Sequence, residues 1–129
     1  MIRVVAAIIE RDSGLLICQR RAGTIFGGQW EFPGGKLRPS ESPRQALARE
    51  LREELGVSPE IGDLMQVVRH RYAEIPGTVG ILFFAAELFG LPRNLAFERM
   101  LWAKRDQLPR FPFLAADRHV ISRLVRREI

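Results

Sequence analysis

The chain has 129 residues, 47% of them hydrophobic, which predicts one compact globular domain over residues 1–129 rather than a disordered segment. No apolar run approaches the ~18 residues of a membrane span. The single cysteine excludes an internal disulfide and fits a reducing cytoplasm. The net charge of +5 favours a polyanionic ligand, but no lysine run, zinc-ligand spacing or aromatic-basic alternation indicates nucleic acid.

The N-terminal third of the chain indicates strands separated by turns. A near-continuous apolar and β-branched run at residues 2–10 is typical of a strand buried on both faces. A turn signal, Asp12-Ser13-Gly14, precedes its predicted hairpin partner at residues 15–19. The following segments are predicted to be a glycine-rich loop at residues 22–29 and a short extended piece at 30–32, which Pro33-Gly34-Gly35 stops.

A helix with clear start and stop signals follows. Ser42 is suited to N-cap it, Pro43 fits the first helical position, and Gln45 completes a capping box. Gly56 supplies the left-handed residue that ends a helix of about thirteen residues.

The C-terminal half predicts further strands and a second helix. We expect strands at residues 61–73 and 78–88, a turn at 75–77, a strand at 100–103 and an amphipathic helix at 115–128. Strands interleaved with two helices indicate an α/β fold with a mixed sheet between helices.

The first helix carries a face of carboxylates. Glu50, Glu53 and Glu54 share one side because residues three and four apart on a helix are neighbours. Carboxylates select hard divalent ions, so Mg²⁺ or Mn²⁺ is the expected cofactor. Glu41, just before the helix, would reach the same ions or orient their ligands. The alternative is a solvated helix surface, on which Arg49 and Glu53 form an ordinary i, i+4 ion pair.

The loop before this helix has two interpretations. Gly34 and Gly35 would let backbone amides approach a phosphate closely, and Lys36 would add a positive charge. The alternative is that the glycines only form a turn.

Segment 35–57, GKLRPSESPRQALARELREELGV, has the spacing G-x5-E-x7-R-E-U-x-E-E-x-G-U, where U is aliphatic. It matches at every fixed position, which chance would give on the order of once in a billion registers. The segment therefore resembles the Nudix box. The flanking segments, QRRAG at residues 19–23, GGQWEFPGGK at 27–36 and FLAADRHVI at 113–121, resemble the MutT-like branch of the Nudix hydrolases, which implies a Nudix-type α/β/α sandwich.

The resemblance also implies roles for individual residues. Glu50, Glu53 and Glu54 would be metal ligands, with Glu50 also a candidate general base and the Gly35 backbone a further ligand. Arg49 is the fixed arginine of the box and belongs to the expected catalytic set. The substrate-binding residues that it implies are Arg21 and Lys36 at the phosphates, Phe32 in the pocket wall and Asp117 at the base.

Two positions depart from the branch. Glu98 is the only acid near Trp102 that would supply an additional carboxylate ligand, and it is slightly closer than expected, so an ordinary surface glutamate is the alternative. Asp117 stands where the branch often has asparagine. Its carboxylate would accept hydrogen bonds from the N–H groups of a purine edge, or it would simply be an acid at a helix N-terminus.

The predicted function is metal-dependent hydrolysis of a nucleoside triphosphate to a monophosphate and pyrophosphate. The resemblance favours an oxidised purine deoxynucleotide such as 8-oxo-dGTP, with CTP or another pyrimidine nucleotide next. Hydrolysis of a dinucleoside polyphosphate or sugar nucleotide, a non-catalytic nucleotide sensor and a nucleic-acid-binding domain are the alternatives. A monomer and a homodimer both remain open.

Overall fold

The computed structural model describes all of residues 1–129. Its strands, numbered β1 to β8, are Ile2–Ile8, Glu10–Arg11, Gly14–Gln19, Trp30–Glu31, Gly34–Lys36, Ser58–His70, Val79–Phe89 and Arg99–Lys104. The α-helices are α1, Pro43–Leu55, and α2, Arg118–Val125, and 3₁₀ helices span Arg105–Arg110 and Ala115–Asp117. No helix is both long and apolar enough to cross a membrane.

Two sheets organise these elements. In the larger sheet the order is β5-β1-β7-β6, in which β1 and β7 run parallel and the two outer pairs run antiparallel. In the second sheet β3 pairs antiparallel with β2, β4 and β8. The predicted α/β fold with a mixed sheet is confirmed.

Alternating residues of β1 and β7 divide the interior into two hydrophobic cores. One core of 16 buried residues contains Phe32, Phe83 and Phe113 and receives α2 through Val120, Ile121 and Leu124. The other core, of 13 buried residues, receives α1 through its Leu47, Leu51 and Leu55 stripe and includes Cys18. Cys18 has no exposed surface, which confirms a packing position for this thiol.

The start and end of α1 agree with the sequence prediction. The Ser42 hydroxyl accepts a hydrogen bond from the Gln45 backbone N–H at 3.1 Å, and the Gln45 side-chain oxygen accepts from the Ser42 N–H at 2.9 Å. Pro43 occupies the first turn, and Gly56 ends the helix with φ of 67°. Since both ends are fixed by short-range chemistry, α1 begins and ends as expected.

The region around Gly34 differs from its prediction. Residues 34–36, expected to stop an extended piece, form β5 and pair with Val4, Val5 and Ala6. A Cβ at Gly34 would lie 2.0 Å from the Val5 carbonyl oxygen, so this pairing requires glycine. The glycines therefore create a strand edge, which the turn-like composition concealed.

Strand β6, at the edge of the larger sheet, and the last helix have different bounds from those expected. Strand β6 starts at Ser58 and ends at His70, shifted towards the N-terminus of the predicted 61–73, and it contains two register irregularities between Ile61 and Gln66. The predicted helix at 115–128 is a 3₁₀ turn followed by the shorter α2. Arg127, with φ of 57°, adopts the left-handed region just beyond α2.

Candidate active site

The carboxylate face of α1 lies against strand β5. The Glu54 side chain accepts a hydrogen bond from the Gly34 N–H at 3.1 Å. The Glu50 carboxylate packs on Gly35 so closely that a Cβ at Gly35 would lie 2.5 Å from its carboxyl carbon. Two carboxylates one helical turn apart therefore converge on two adjacent glycines, because β5 has no side chains there to keep them away.

Arg49 connects the other acids of the motif. Its guanidinium contacts both Glu41 oxygens at 2.5 and 2.8 Å, Glu50 at 2.8 Å and Glu53 at 3.4 Å, and it donates to the Lys36 carbonyl. This bidentate pairing lowers the pKa of the Glu41 carboxyl to about 2. Of the two roles considered for Glu41, the contacts favour the orientation of metal ligands, because Glu41 holds Arg49 and Arg49 contacts Glu50 and Glu53.

The electrostatics of Glu54 differ from those of its neighbours. Burial raises its pKa to about 9, helped by the nearby charges of Glu50 and Glu31 and opposed by the Gly34 N–H. Without a cation, Glu54 therefore keeps its proton at neutral pH. A divalent cation bound there would lower this pKa, because its positive charge stabilises the ionised form of Glu54 and offsets the repulsion between the carboxylates.

The donor set fits a hard divalent ion by its chemistry, while its arrangement is incomplete. No three acidic or histidine side chains come together in a geometry that would hold a metal. Glu50 and Glu54 converge at β5, whereas Glu53 has 52% of its side chain exposed and pairs with Arg49 and Arg38. All the ligands offered are oxygens, which suit Mg²⁺ or Mn²⁺.

A cavity of about 390 Å³ opens beside these carboxylates. Most of its 19 lining residues are apolar, and a few polar groups converge in it. The polar or charged side chains are those of Arg20, Glu31, Lys36, Glu54, Tyr72 and Asp117. Gly34, Gly35 and Glu54 border both the cavity and the carboxylate face, so the two regions are continuous.

Phe32 and Asp117 lie in this cavity. Phe32 is 3% exposed and packs on Phe113 with 5.7 Å between ring centroids. Asp117 is 4% exposed and is the only buried charged residue of the chain. Burial, reinforced by the charge of Glu31, raises the pKa of Asp117 well above its usual range. Asp117 stands at the N-cap position of α2 without a side-chain capping hydrogen bond, so its reading of the base stays a prediction beside the alternative of a helix N-terminal acid.

Of three other predicted site residues, one lines the cavity and two do not. Lys36 lines it. Arg21 is exposed and is not among the lining residues, so the structure does not bring it to the cavity. Glu98 is also exposed, and its backbone N–H donates to the Gln19 carbonyl at 2.9 Å. Its side chain makes no contact with the carboxylates of α1, so its metal-binding role stays a prediction.

Sequence reasoning missed the pair formed by Arg20 and Glu31. The Arg20 guanidinium contacts both Glu31 oxygens at 3.3 Å, and both residues line the cavity. Burial raises the pKa of Glu31, while Arg20 opposes the shift. The available signal was the charged residue between two aromatic ones, Trp30 and Phe32, in a short extended segment.

The chain is similar to proteins of one family along nearly its whole length. The family model described as the NUDIX domain matches residues 1–124. A CTP pyrophosphohydrolase of Escherichia coli is 40% identical over 119 residues, which cover 91% of this chain and 86% of that protein. An 8-oxo-dGTP diphosphatase of Haemophilus influenzae is 33% identical over 128 residues, 97% of this chain and 92% of that one.

A solved structure agrees with this similarity. The crystal structure of a MutT NUDIX hydrolase from Burkholderia pseudomallei is 30% identical, with a TM-score of 0.83 over 94% of this chain and 95% of that one. The fold, the box and the sequence similarity all point to the same family. The chain therefore belongs to the Nudix family and is a MutT-like hydrolase.

Proposed function

We propose that this hydrolase cleaves a nucleoside triphosphate to a nucleoside monophosphate and pyrophosphate, with Mg²⁺ as its cofactor and Mn²⁺ as an alternative ion. One observation carries the proposal. The carboxylate face of α1 and the cavity lined by Phe32 and Asp117 meet at Gly34, Gly35 and Glu54. A nucleotide lying across this junction would have its base among apolar side chains and its phosphates beside the carboxylates.

At the phosphate end we assign metal ligands, a general base and a positioning arginine. Glu50, Glu53, Glu54 and the Gly35 backbone are the candidate metal ligands. A divalent ion held there would neutralise phosphate charge and make bound water more acidic. Glu50, or another glutamate of the box, takes the proton of the attacking water. Arg49 holds Glu50 in place, as its 2.8 Å contact indicates.

Positively charged side chains near the cavity would bind the phosphates. Lys36 lines the cavity next to Gly35, and we assign it a phosphate contact. Arg20 also lines the cavity, but its guanidinium is paired with Glu31. Arg21, whose phosphate contact the resemblance implies, is exposed and does not line the cavity.

The base is proposed to pack against Phe32 and to be read by Asp117. The 8-oxo-dGTP diphosphatase that resembles this chain supports an oxidised purine deoxynucleotide as substrate. CTP is the second candidate, favoured by the 40% identity to a CTP pyrophosphohydrolase. A non-catalytic nucleotide sensor is disfavoured because the box retains all of its carboxylates.

A substrate panel tests this proposal. We would measure kcat/KM for 8-oxo-dGTP, dGTP, CTP, ADP-ribose and a dinucleoside polyphosphate in Mg²⁺, in Mn²⁺ and in EDTA. The expected result is the highest kcat/KM with a triphosphate, release of pyrophosphate rather than phosphate, and no turnover in EDTA. A preference for ADP-ribose or the dinucleoside polyphosphate would contradict the triphosphate assignment, and turnover in EDTA would contradict the metal.

Binding without turnover gives a second readout. A ligand that binds only the folded state increases the free energy of unfolding, by about 2.7 kcal/mol at a hundred times its Kd, and therefore raises the melting temperature. We therefore expect Mg²⁺ and a triphosphate together to raise the melting temperature more than either alone. No shift with any triphosphate at millimolar metal would count against the site.

A further inference from the structure

Tyr72 is a polar side chain of the cavity to which neither the box nor the resemblance assigns a role. Tyr72 follows the end of β6 and lines the cavity together with Asp117. Its ring lies between two others, with centroid distances of 4.7 Å to Phe26 and 4.4 Å to His70. These ring contacts, one tilted and one edge-on, connect the loop that carries Phe26 to the end of β6 and restrict the orientation of the Tyr72 ring.

The hydroxyl of Tyr72 is fixed as well. It accepts a hydrogen bond from the Ala116 backbone N–H at 2.8 Å. Ala116 belongs to the 3₁₀ helix Ala115–Asp117, so this bond anchors the element that carries Asp117. A tyrosine hydroxyl is also a donor, and the Tyr72 hydroxyl donates to no protein group in the structure. Its proton is therefore available to a ligand.

The surroundings keep this proton on the oxygen. Burial raises the pKa of Tyr72, and the nearby charges of Asp117 and Glu31 act in the same direction, against the Ala116 N–H and Arg118. Tyr72 is consequently a neutral donor throughout the physiological range. The Tyr72 side chain is already ordered by its ring contacts and by the Ala116 N–H, so ligand binding would cost it little further conformational entropy.

We propose that Tyr72 is a specificity-determining residue that donates a hydrogen bond to an acceptor on the nucleotide base, beside the edge read by Asp117. This inference rests on the proposed function. It restricts the substrate class to bases that present an acceptor, a carbonyl oxygen or a ring nitrogen, next to the group that Asp117 contacts. A base without that acceptor would leave the Tyr72 donor unpaired in a largely apolar cavity, which costs binding energy.

The test pairs one variant with acceptor-deleted nucleotides. Tyr72→Phe keeps the ring and removes the hydroxyl. Three pairs cover the available acceptors: 8-oxo-dGTP against dGTP, dGTP against the 2-aminopurine deoxynucleoside triphosphate, and CTP against 3-deaza-CTP. The two purine pairs also exchange a ring N–H for a ring acceptor, N7 in the first pair and N1 in the second, so the readout is the change that Tyr72→Phe makes in each ratio. For the pair that contains the contacted acceptor, Tyr72→Phe should lower the kcat/KM ratio of the complete base to the acceptor-deleted base by about 5–20-fold relative to wild type.

A control separates this role from a structural one. His70→Leu removes one of the two rings beside Tyr72 but keeps the Tyr72 hydroxyl and its bond from the Ala116 N–H, so we expect it to lower kcat/KM for all nucleotides alike and to leave the three ratios within twofold of wild type. If Tyr72→Phe lowers every nucleotide of the three pairs by the same factor, Tyr72 only supports the Ala116 helix and the inference is overturned. If wild type hydrolyses no triphosphate, the proposed function fails. If wild type hydrolyses triphosphates but Tyr72→Phe changes none of the three ratios, this inference alone fails, so the two failures are distinguishable.

Discussion

The phosphate end and the base end of the site are built in opposite ways. The phosphate end comes from one continuous segment, residues 35–57, in which a helix with fixed caps presents Glu50 and Glu54 to Gly34 and Gly35. The base end combines Phe32, Tyr72 and Asp117 from three distant segments. Residue spacing along one helix predicts the carboxylates of the phosphate end directly. At the base end the resemblance implied Phe32 and Asp117, and no local pattern predicted that Tyr72 joins them.

The largest expected effect is at the phosphate end. Glu54→Gln should lower kcat/KM by more than the ~10–100-fold typical of residues that merely orient metal ligands. The melting temperature without metal should stay the same or rise, because the substitution removes a buried acid next to Glu50. Steady-state kinetics and thermal unfolding measure the two quantities.

Glu60→Gln, at an exposed glutamate of β6, is the matched control and should match wild type. The metal-ligand assignment would be wrong if Glu54→Gln kept turnover within tenfold of wild type in Mg²⁺.

The two adjacent glycines give the next effect, and they should behave differently. Gly34→Ala would place a Cβ 2.0 Å from the Val5 carbonyl, so backbone must move, and we expect a loss of about 3 kcal/mol in the free energy of unfolding. At Gly35 the clash is with the flexible Glu50 side chain, so Gly35→Ala should lose activity with a much smaller loss of stability. Urea unfolding and kcat/KM separate the two, and equal stability losses would contradict this distinction.

At the base end the expected effect is smaller and selective. Asp117→Ala should lower kcat/KM for the preferred nucleotide by a factor equivalent to about 1–3 kcal/mol of transition-state free energy, the cost of an unpaired polar group. It should affect poorly matched bases far less. Asp117→Asn keeps the size but replaces the carboxyl with an amide that always presents both a donor and an acceptor, so it should shift the preference between bases. Equal losses on every nucleotide for both variants would make Asp117 a structural residue.

A pH titration compares the two ends without substrate. The pKa of Glu54 is about 9 in the folded protein against an ordinary value of 4.5, so the folded state binds more protons between these values. The contribution of Glu54 to stability is therefore complete below pH 4.5 and declines as pH rises towards 9. Unfolding in urea and EDTA across this window should show a shallower decline for Glu54→Gln.

Some decline should remain in that variant, because burial also raises the pKa of Glu31 and Asp117. Identical slopes for wild type and Glu54→Gln would show that Glu54 is ionised at neutral pH in the metal-free protein.

The same division explains how far the sequence could predict this protein. The caps of α1 and its leucine stripe depend on neighbours within a few residues, and the structure agrees with both. The carboxylate face is equally local, but only Glu50 and Glu54 converge on β5, while Glu53 pairs with Arg38 and Arg49. The pair of Arg20 and Glu31 and the strand at Gly34 depend on partners brought together by strand pairing, which the local pattern does not encode. The resemblance implied Arg21, whereas Arg20, the first residue after β3, lines the cavity, and no local pattern distinguishes the two arginines.

The separation of the interior into two cores has an evolutionary consequence. The helix that carries the box is anchored in one core and the wall of the base cavity in the other, with β1 and β7 between them. Substitutions that reshape the cavity around Phe32 and Phe113 can accumulate without disturbing the packing of α1. A lineage with this architecture can change the base that it accepts while its hydrolytic chemistry stays intact, and a mutagenesis library confined to the first core would exploit the same freedom.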